Sequence, residues 1–471
     1  MSANRTLTFV GGGGTVTGSK YWIRGADEQL LLDCGLFQGL KNLRLRNWQK
    51  PPFHAPAVDA VVLSHAHLDH AGYLPLLARR GFTGSVYCTP GTADLLHIVL
   101  RDAARIQEED ADRANRRSYS KHEPALPLYT LEDAERALRL LVKRGYGEPF
   151  TPSRNTSAIF HRAGHILGSA IIDLQLERGG LNLVFSGDLG RRQRPILRDP
   201  DRVSSADVLL LESTYGDRVH ERNEEARIVE VVTRTAERGG AVIVPAFAIG
   251  RTQELLWTIR KLHQEKRLPL ISVFVDSPMA TEVTEIYCRH PEDHDAAMGA
   301  LMRAEGSLYP AQYFMRSSDE SKRLNSRQGP MIIIAGSGMA TGGRVLHHLK
   351  HRLPDHRNTV LLTGYQAAGT RGRALRDGAA TIRIHGRDVP VRAEIATVDG
   401  LSAHADRDEL IDWLAGFATP PRQTYLVHGE AESSQALAAT IRDRLGWRVA
   451  VAEDQGTVPL VRTGPLQASL R

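Results

Sequence analysis

The pattern of apolar and polar positions divides the chain into three stretches. The first is built from short apolar runs between glycine-rich turns, such as LTFVGG, KYWIRG and QLLLDCG, which predict β-strands. AVVLSH is a continuous β-branched run that predicts a buried strand ending at a histidine. Residues 91–145 have a helical and charged pattern that is most polar at 107–124, which predicts a solvated helical hairpin or loop.

The middle stretch repeats a unit of strand, small-residue loop and helix. The three copies are AVIVPAFAIGRTQELLWTIRKL, ISVFVDSPMATEVTEIYCRH and MIIIAGSGMATGGRVLHHLKH, and the strand TVLLTGYQ follows. Such alternation predicts a parallel sheet with helices on its faces. The chain becomes strand-rich again from about residue 378. We therefore expect one fold made from residues 1–210 and 378–471, with an inserted domain at 211–377.

Composition narrows the class of protein. The 471 residues predict two or three domains, and no apolar run reaches 18 residues, so no membrane span is expected. The N-terminus MSANRTLTFV lacks a secretory signal pattern, and the three cysteines lie far apart, which together predict a protein of the reducing cytoplasm. The net charge of +6 permits a polyanionic partner without requiring one.

The stretch HAHLDH, residues 65–70, is dense in metal-ligand side chains. His65 and His67 are two positions apart and share one face of an extended segment. Asp69 and His70 follow where the chain turns toward a helix. Because six residues cannot wrap all four side chains around one ion, the pattern predicts two pairs that serve two metals about 3.5–4 Å apart.

Each ion needs further ligands from elsewhere in the chain. His165, Asp188 and His428 each follow an apolar strand and lie beside glycine or another small residue. Imidazole and carboxylate ligands without thiolates favour zinc in an open, catalytic site. The sequence therefore predicts two Zn²⁺ ions per chain.

HAHLDH, together with Asp33 in LLDCG, His165 and Asp188, resembles the signature of the metallo-β-lactamase fold. The resemblance implies an α/β protein with an αββα sandwich. It also implies roles for the site residues: His65, His67 and His165 would bind one zinc, Asp69 and His70 the other, Asp188 would bridge both, and Asp33 would support the site.

Three further motifs indicate which group of proteins with this fold the chain resembles. LLESTYGDR carries Glu212, LSAHAD carries His404 and LVHGE carries His428. With an insertion of about 165 residues before His404, the chain resembles the β-CASP nucleases, most closely the bacterial and archaeal relatives of the cleavage and polyadenylation specificity factor endonuclease. This implies an inserted β-CASP α/β domain with a mainly parallel sheet. A histidine at the position of His428 implies RNA rather than DNA as substrate, and supplies a ligand to the second zinc.

These features predict a zinc-dependent ribonuclease. We expect hydrolysis of phosphodiester bonds in single-stranded RNA by two-metal hydroxide attack, leaving 5′-phosphate and 3′-hydroxyl ends. Asp69, Glu212 and His404 are the expected catalytic residues, with His404 as general acid and Glu212 fixing its tautomer and raising its pKa. The sequence does not decide between internal cutting and 5′-to-3′ trimming.

RNA is expected in the crevice between the two domains. Loops of the insertion can direct backbone N–H groups and cations at phosphates. The candidate RNA-binding residues are Arg251, Ser277, Ser337, Gly338, Arg344, Arg371 and Ser402. No obligatory protein partner is indicated, and a homodimer is left open.

Three alternative functions share this fold. A lactonase or thioesterase would use the same metal ligands but would lack the insertion and the Glu212–His404 pair. A DNA nuclease is disfavoured by His428. A catalytically silent RNA-binding subunit is disfavoured because every expected ligand is present.

Overall fold

The computed structural model describes residues 5–117, 122–177, 180–221, 223–310, 313–364, 366 and 369–460. They form two compact units. The first comprises the described parts of residues 1–192, 199–218 and 404–471, and the second comprises those of 193–198 and 219–403. Within the described ranges, no helix combines the length and the hydropathy needed to cross a bilayer.

The first unit contains two seven-stranded sheets. The order in the first sheet is β21 (Thr457–Pro459), β1 (Thr6–Gly11), β2 (Lys20–Arg24), β3 (Gln29–Leu32), β4 (Ala60–Val62), β5 (Ser85–Cys88) and β6 (Leu141–Lys143). The order in the second is β20 (Val449–Val451), β19 (Gln423–Val427), β11 (Val208–Glu212), β10 (Leu181–Phe185), β9 (Ala170–Leu176), β8 (Thr156–Arg162) and β7 (Phe150–Ser153).

The two sheets enclose a shared apolar core. Phe9, Tyr21 and Leu30 of the first sheet pack in one cluster with Phe160 and Leu183 of the second. Alternating side chains of a strand point to opposite faces, so the remaining apolar positions of the second sheet face outward. They pack against the last two helices of the unit, at residues 407–414 and 431–445. This gives the predicted αββα layering.

The longest helix of the first unit begins with a side-chain cap. Thr89 accepts a hydrogen bond from the Thr92 amide at the start of the longest helix, and Pro90 occupies its first position. The helices are α1 (Lys41–Arg46), α2 (Leu68–Ala71), α3 (Leu74–Arg79), α4 (Pro90–Arg116), α5 (Leu131–Leu138), α13 (Arg407–Leu414) and α14 (Ala431–Leu445). Helix α4 contains the start of the predicted polar hairpin or loop at 107–124, of which residues 118–121 lie outside the described ranges.

The second unit has the predicted parallel sheet. Its strand order is β13 (Ser272–Asp276), β14 (Met331–Gly336), β12 (Ala241–Ala246), β15 (Thr359–Leu362) and β18 (Glu394–Thr397), and every neighbouring pair is parallel. The helices are α6 (Glu224–Glu237), α7 (Arg251–Gln264), α8 (Pro278–Cys288), α9 (Ala296–Glu305), α10 (Ser318–Ser326), α11 (Val345–Arg352) and α12 (Arg371–Arg376). Strands β16 (Thr381–Ile384) and β17 (Arg387–Pro390) form a separate hairpin.

The second unit differs in extent from the predicted insertion at 211–377. Strand β11 lies wholly in the first unit, where it pairs with β10 and β19. The strands at 381–397, assigned from the sequence to the outer fold, lie in the second unit because β18 extends its parallel sheet beside β15. A strand pattern reports burial and not the partner strand, so it cannot assign a strand to one sheet or another.

Candidate metal centre

The HAHLDH motif spans the end of the loop after β4 and the first residues of α2, and both elements belong to the first unit. The parallel pairing of β3 with β4 brings the chain after Leu32 to the same edge of the sheet. Backbone hydrogen bonds from Cys34 N to His70 O and from Leu36 N to Leu68 O, of 2.7 and 2.8 Å, then hold the two loops together. The motif is thereby fixed by backbone contacts that do not depend on its own side chains.

The first half of the site gathers His65, His67, His165 and Asp188. The Nδ1 atom of His67 lies 3.0 Å from His65 Nε2 and 3.4 Å from His165 Nε2. Asp188 Oδ2 lies 3.4 Å from His65 Nε2 and 3.6 Å from His165 Nε2. Four potential ligand atoms thus converge on one position, all within 4.8 Å of one another.

The second half gathers Asp69, His70 and His428. Asp69 Oδ2 lies 3.9 Å from the Nε2 atoms of both His70 and His428. The other oxygen of Asp188, Oδ1, lies 3.2 Å from His70 Nε2 and 3.7 Å from His428 Nε2. Asp188 therefore offers one oxygen to each half, as expected of a bridging ligand. All seven side chains predicted as metal ligands come together.

The chemistry of these atoms fits metal ions. His70 Nε2 and Asp188 Oδ1 are buried, and neither has a satisfactory hydrogen-bond partner among the described residues. Buried polar atoms without partners are costly, and a cation placed between them would satisfy both. Burial lowers the pKa of His65, His67 and His165, which keeps their imidazoles neutral and able to bind a metal.

Asp33 and Ser64 orient the ligands of the motif. Asp33 Oδ2 accepts from His70 Nδ1 at 2.7 Å, which leaves His70 Nε2 as the ring atom that faces the site. The same carboxylate accepts from the amide and the hydroxyl of Ser64, at 2.7 and 2.8 Å. Asp33 has a φ of 57°, a strained value for a residue other than glycine. Burial raises the pKa of Asp33, against the opposing effect of His70.

His428 has an equivalent support in Ser19. The Ser19 hydroxyl lies 2.8 Å from His428 Nδ1, so that Nε2 faces the site. His428 also has a positive φ, 48°. Neither Ser19 nor Ser64 was among the predicted site residues. Ser64 carried a signal, because it directly precedes His65, whereas Ser19 belongs to no recognisable motif.

Glu212 and His404 form a pair beside the two half-sites. Glu212 is the last residue of β11 and is completely buried. Its Oε2 and Oε1 atoms lie 3.0 and 3.3 Å from His404 Nδ1. His404 is held by the pairing of its backbone with Gly190, and its Nε2 lies 3.9 Å from Asp188 Oδ2.

The surroundings of His404 favour its protonated form. Burial alone would lower the pKa of His404, but the negative charges of Glu212 and Asp188 outweigh this and raise it to about 9. Because metal ions would neutralise Asp188, the Glu212 carboxylate is the cause that persists in the loaded protein. A buried carboxylate bonded to Nδ1 leaves Nε2 as the atom that can exchange a proton at the site.

The predicted RNA-binding residues lie in the second unit, and their polar groups already bond to the protein. Arg251 pairs with Glu254, 2.5 Å away, and Arg344 donates to Asp276 at 2.8 Å. Arg371 donates to the carbonyl oxygen of Arg383 at 2.7 Å. Their role toward RNA stays a prediction.

The small residues of the same set shape loops at strand and helix ends. Ser277 caps α8 by accepting from the Ala280 amide. Ser337, with a φ of 84°, accepts from the Thr341 amide at 3.0 Å, and Gly338 follows it in the loop. Ser402 is buried after a short 3₁₀ turn. In the similar loop GYQAAGTRGR, residues 365, 367 and 368 lie outside the described ranges.

Comparison with protein families matches three consecutive models. The metallo-β-lactamase superfamily matches residues 13–225, the β-CASP domain matches 252–375, and the Zn-dependent metallo-hydrolase RNA specificity domain matches 388–452. The third match contains both His404 and His428.

Comparison with whole proteins supports the same family. The chain is 40% identical over 449 residues to "Ribonuclease TTHA0252" of Thermus thermophilus, covering 94% of this chain and 97% of that protein. It is 32% identical to "Transcription termination factor FttA" of Methanocaldococcus jannaschii, covering 93% of this chain and 68% of that protein. Among solved structures, a protein of unknown function from Enterococcus faecalis shares the fold, with a TM-score of 0.55 and 12% identity over 97% of this chain and 100% of that one. The chain belongs to the β-CASP group of the metallo-β-lactamase superfamily.

Proposed function

We propose that this protein is a zinc-dependent ribonuclease that hydrolyses single-stranded RNA and leaves 5′-phosphate and 3′-hydroxyl ends. The observation that carries the proposal is the arrangement of Asp188, which offers separate oxygens to two adjacent groups of ligand atoms. A dinuclear centre of this kind suits in-line displacement at phosphorus. The relative named as a ribonuclease, matched over nearly its whole length, supports RNA as the substrate.

The metal ions would be held by the seven converging side chains. His65, His67 and His165 would hold one ion, Asp69, His70 and His428 the other, and Asp188 would contact both. When bound, the ions would supply Lewis-acid chemistry, polarising a phosphoryl oxygen and lowering the pKa of a water molecule. Zinc is the metal that this set of imidazoles and carboxylates favours.

His404 supplies the proton that the leaving group needs. Departure of a ribose 3′-oxygen from phosphorus builds negative charge on that oxygen, and a positioned acid lowers the barrier by transferring a proton to it. The Glu212 carboxylate favours protonated His404, because its negative charge and hydrogen bond raise the pKa of the imidazole against the opposing effect of burial. Its Nδ1 is engaged by Glu212, so the proton leaves from Nε2, which faces Asp188.

RNA specificity rests on the closing part of the chain. The RNA specificity domain matches 388–452, which contains the proposed acid and one proposed ligand. The phosphate-binding loops of the second unit would bind the rest of the strand. Both internal cleavage and 5′-to-3′ trimming are compatible with this chemistry.

The proposal is tested by the zinc content of the purified protein together with digestion of a 5′-labelled single-stranded RNA. Wild type is compared with His67→Ala, which removes a ligand, and with His404→Ala, which removes the acid and leaves the ligands in place. We expect zinc-dependent cleavage in wild type and severe loss in both variants, with zinc retained in His404→Ala. Undiminished cleavage by His67→Ala would overturn the metal assignment. Hydrolysis of lactones or thioesters with no action on RNA would overturn the substrate.

A further inference from the structure

A basic segment without acidic residues lies in the first unit, between Asp33 and the strand that leads into HAHLDH. No aspartate or glutamate occurs between Asp33 and Asp59, while Lys41, Arg44, Arg46 and Lys50 all lie in this interval. Lys41, Arg44 and Lys50 are exposed, and none of them forms an ion pair with any described residue. An uncompensated cluster of cations on one segment favours a polyanionic ligand.

The segment forms one wall of a cavity of about 150 Å³. Cationic, aromatic and amide side chains line this cavity together, among them Lys20, Phe37, Arg46, Asn47, Lys50 and Tyr73. Arg46 stacks on the Phe37 ring at 4.1 Å and also pairs with Asp454 at 2.9 Å. The charges of Arg46 and Asp454 balance, so Lys20 and Lys50 leave the cavity positive.

Lys20 is a buried cation that forms no ion pair with a carboxylate of the described residues. The residue is 3% exposed, and its ammonium donates to the carbonyl oxygens of Gly18 and Gly35. Its third N–H meets no acceptor within the described part of the chain, and the rings of Phe37 and Tyr73 lie 4.7 and 4.8 Å from Nζ. Burying a cation without a counter-ion is costly, and an anion in the cavity would remove that cost. Burial also lowers the pKa of Lys20 to about 8.

A half-exposed tryptophan lies in the chain between two residues that line the cavity. Trp48 is 51% exposed, and its neighbours in the chain, Asn47 and Gln49, line the cavity. The other four tryptophans of the chain are less exposed. An aromatic ring exposed beside unpaired cations matches the pattern of single-strand binding sites, where bases stack on rings and cations meet the phosphates.

We propose that this cavity binds a phosphate group of the RNA strand and that Trp48 stacks on an adjacent base, forming a second RNA-binding subsite on the first unit. The inference rests on the proposed function. It adds a contact surface distinct from the loops of the second unit.

The cavity is connected to the metal centre through a single loop. Lys20 bonds the carbonyl of Gly35, and the backbone of Gly35 packs so closely on Asp69 that an added Cβ would lie 1.6 Å from the Asp69 carbonyl oxygen. A strand held in the cavity is therefore anchored next to the loop that carries the ligands. The subsite would help to set which phosphodiester bond reaches the metals.

The test measures binding of a fluorescein-labelled single-stranded RNA to zinc-loaded full-length protein by fluorescence anisotropy. All proteins carry His404→Ala, which slows cleavage so that little RNA is cut during the binding measurement. Within this background we test Trp48→Ala, Lys50→Gln and the double variant that carries both changes. The control is Arg154→Gln, which removes one exposed cation from the turn between β7 and β8. Trp48→Phe keeps an aromatic ring and tests for rescue.

We expect the combined variant to bind at least about tenfold more weakly, since base stacking and one phosphate contact contribute on that order. Lys50→Gln should also reduce the salt dependence of binding, whereas Arg154→Gln should match the background. Trp48→Phe should bind nearly as the background does but lose the RNA-induced quenching of tryptophan emission. These outcomes separate a stacking contact from a general loss of fold.

The binding and cleavage results together distinguish an incorrect subsite from an incorrect proposed function. If the background protein binds RNA and the Trp48 and Lys50 variants behave like Arg154→Gln, the subsite is overturned and the ribonuclease proposal stands. If the background protein binds no RNA and wild type does not cleave it, both are overturned.

Discussion

His404 Nδ1 lies 3.0 Å from Oε2 of the completely buried Glu212, although 192 positions of sequence separate the two residues. The pair lies within the first unit, beside Asp188, the residue that faces both groups of metal ligands. This contact fixes the tautomer of His404 and its charge at neutral pH. It therefore makes a specific prediction about how activity depends on pH.

Replacing Glu212 with glutamine should shift the alkaline limit of activity to lower pH. Burial lowers the pKa of His404, but the Glu212 carboxylate raises it, so wild type keeps its acid protonated at neutral pH and loses activity as the pH rises through the raised pKa. Glutamine retains a hydrogen-bond acceptor but removes the charge that raises this pKa. The alkaline limb of kcat/KM for RNA should therefore move toward the ordinary range of histidine. An unchanged limb in Glu212→Gln would exclude His404 as the acid.

His404→Ala serves as the reference for the same profile. Removing a general acid typically lowers kcat by about 10²–10⁴-fold. The residual activity should lack the alkaline limb that depends on His404. Zinc content should stay at the wild-type level, because His404 belongs to the proton-transfer pair and not to the proposed ligands.

Asp33→Ala should weaken metal binding without removing a ligand. Asp33 accepts from His70 Nδ1 at 2.7 Å and so directs Nε2 toward the site. Loss of an orienting carboxylate of this kind typically costs about 10–100-fold in metal affinity. Competition with a chromogenic chelator measures the affinity. Asp33→Asn is the matched variant, and wild-type affinity in Asp33→Ala would show that the carboxylate only supports the fold.

Ser19→Ala should distinguish the two half-sites. Its hydroxyl lies 2.8 Å from Nδ1 of His428, which faces only the second group. We expect about tenfold weaker binding of one ion and nearly unchanged binding of the other. The same chelator titration resolves the two steps. Equal weakening of both ions would contradict the division into half-sites.

Asp276 should control the acid stability of the second unit. It is fully buried and accepts from Ser321 Oγ and His348 Nε2, both at 2.6 Å, and from Arg344 at 2.8 Å. Asp276→Ala leaves buried donors without an acceptor and should cost about 3–5 kcal/mol of unfolding free energy at pH 7. Urea denaturation followed by circular dichroism measures this loss.

The stability that Asp276 contributes should decrease as the pH falls. Burial would raise the pKa of Asp276, but hydrogen bonds from His348, Ser321 and Arg344 outweigh it and lower the pKa below 3.8. The stabilisation is therefore complete above pH 3.8 and disappears as the pH falls through the lowered value. Asp276→Asn should show a flatter loss of stability in this acid range. An acid response identical to wild type would show that Asp276 is not the titrating group.

The side chains that the sequence grouped as ligands lie close together in the structure, whereas the two compact units do not begin and end at the predicted boundaries. The ligands were identifiable because four of them are contiguous and the others follow apolar strands beside small residues. The strands at 381–397 lie in the second unit because β18 pairs with β15, a contact that no local pattern indicates. Ser19 was missed for the same reason, since its contact with His428 spans 409 positions.

The basic segment at 41–50 shows a further limit of sequence reading. Its cations resemble any solvated surface until the structure places Lys20 and the rings of Phe37 and Tyr73 behind them. These cations line a cavity only because Lys20 of β2 and Tyr73, which follows HAHLDH, lie next to them in the fold.

The proposed hydrolysis requires that water, and not the ribose 2′-hydroxyl, attacks phosphorus at the metal centre. The decisive experiment is mass spectrometry of the fragments that the zinc-loaded wild-type protein releases from single-stranded RNA. We expect fragments with 5′-phosphate and 3′-hydroxyl ends. Fragments that end in 2′,3′-cyclic phosphate would contradict the proposed hydrolysis.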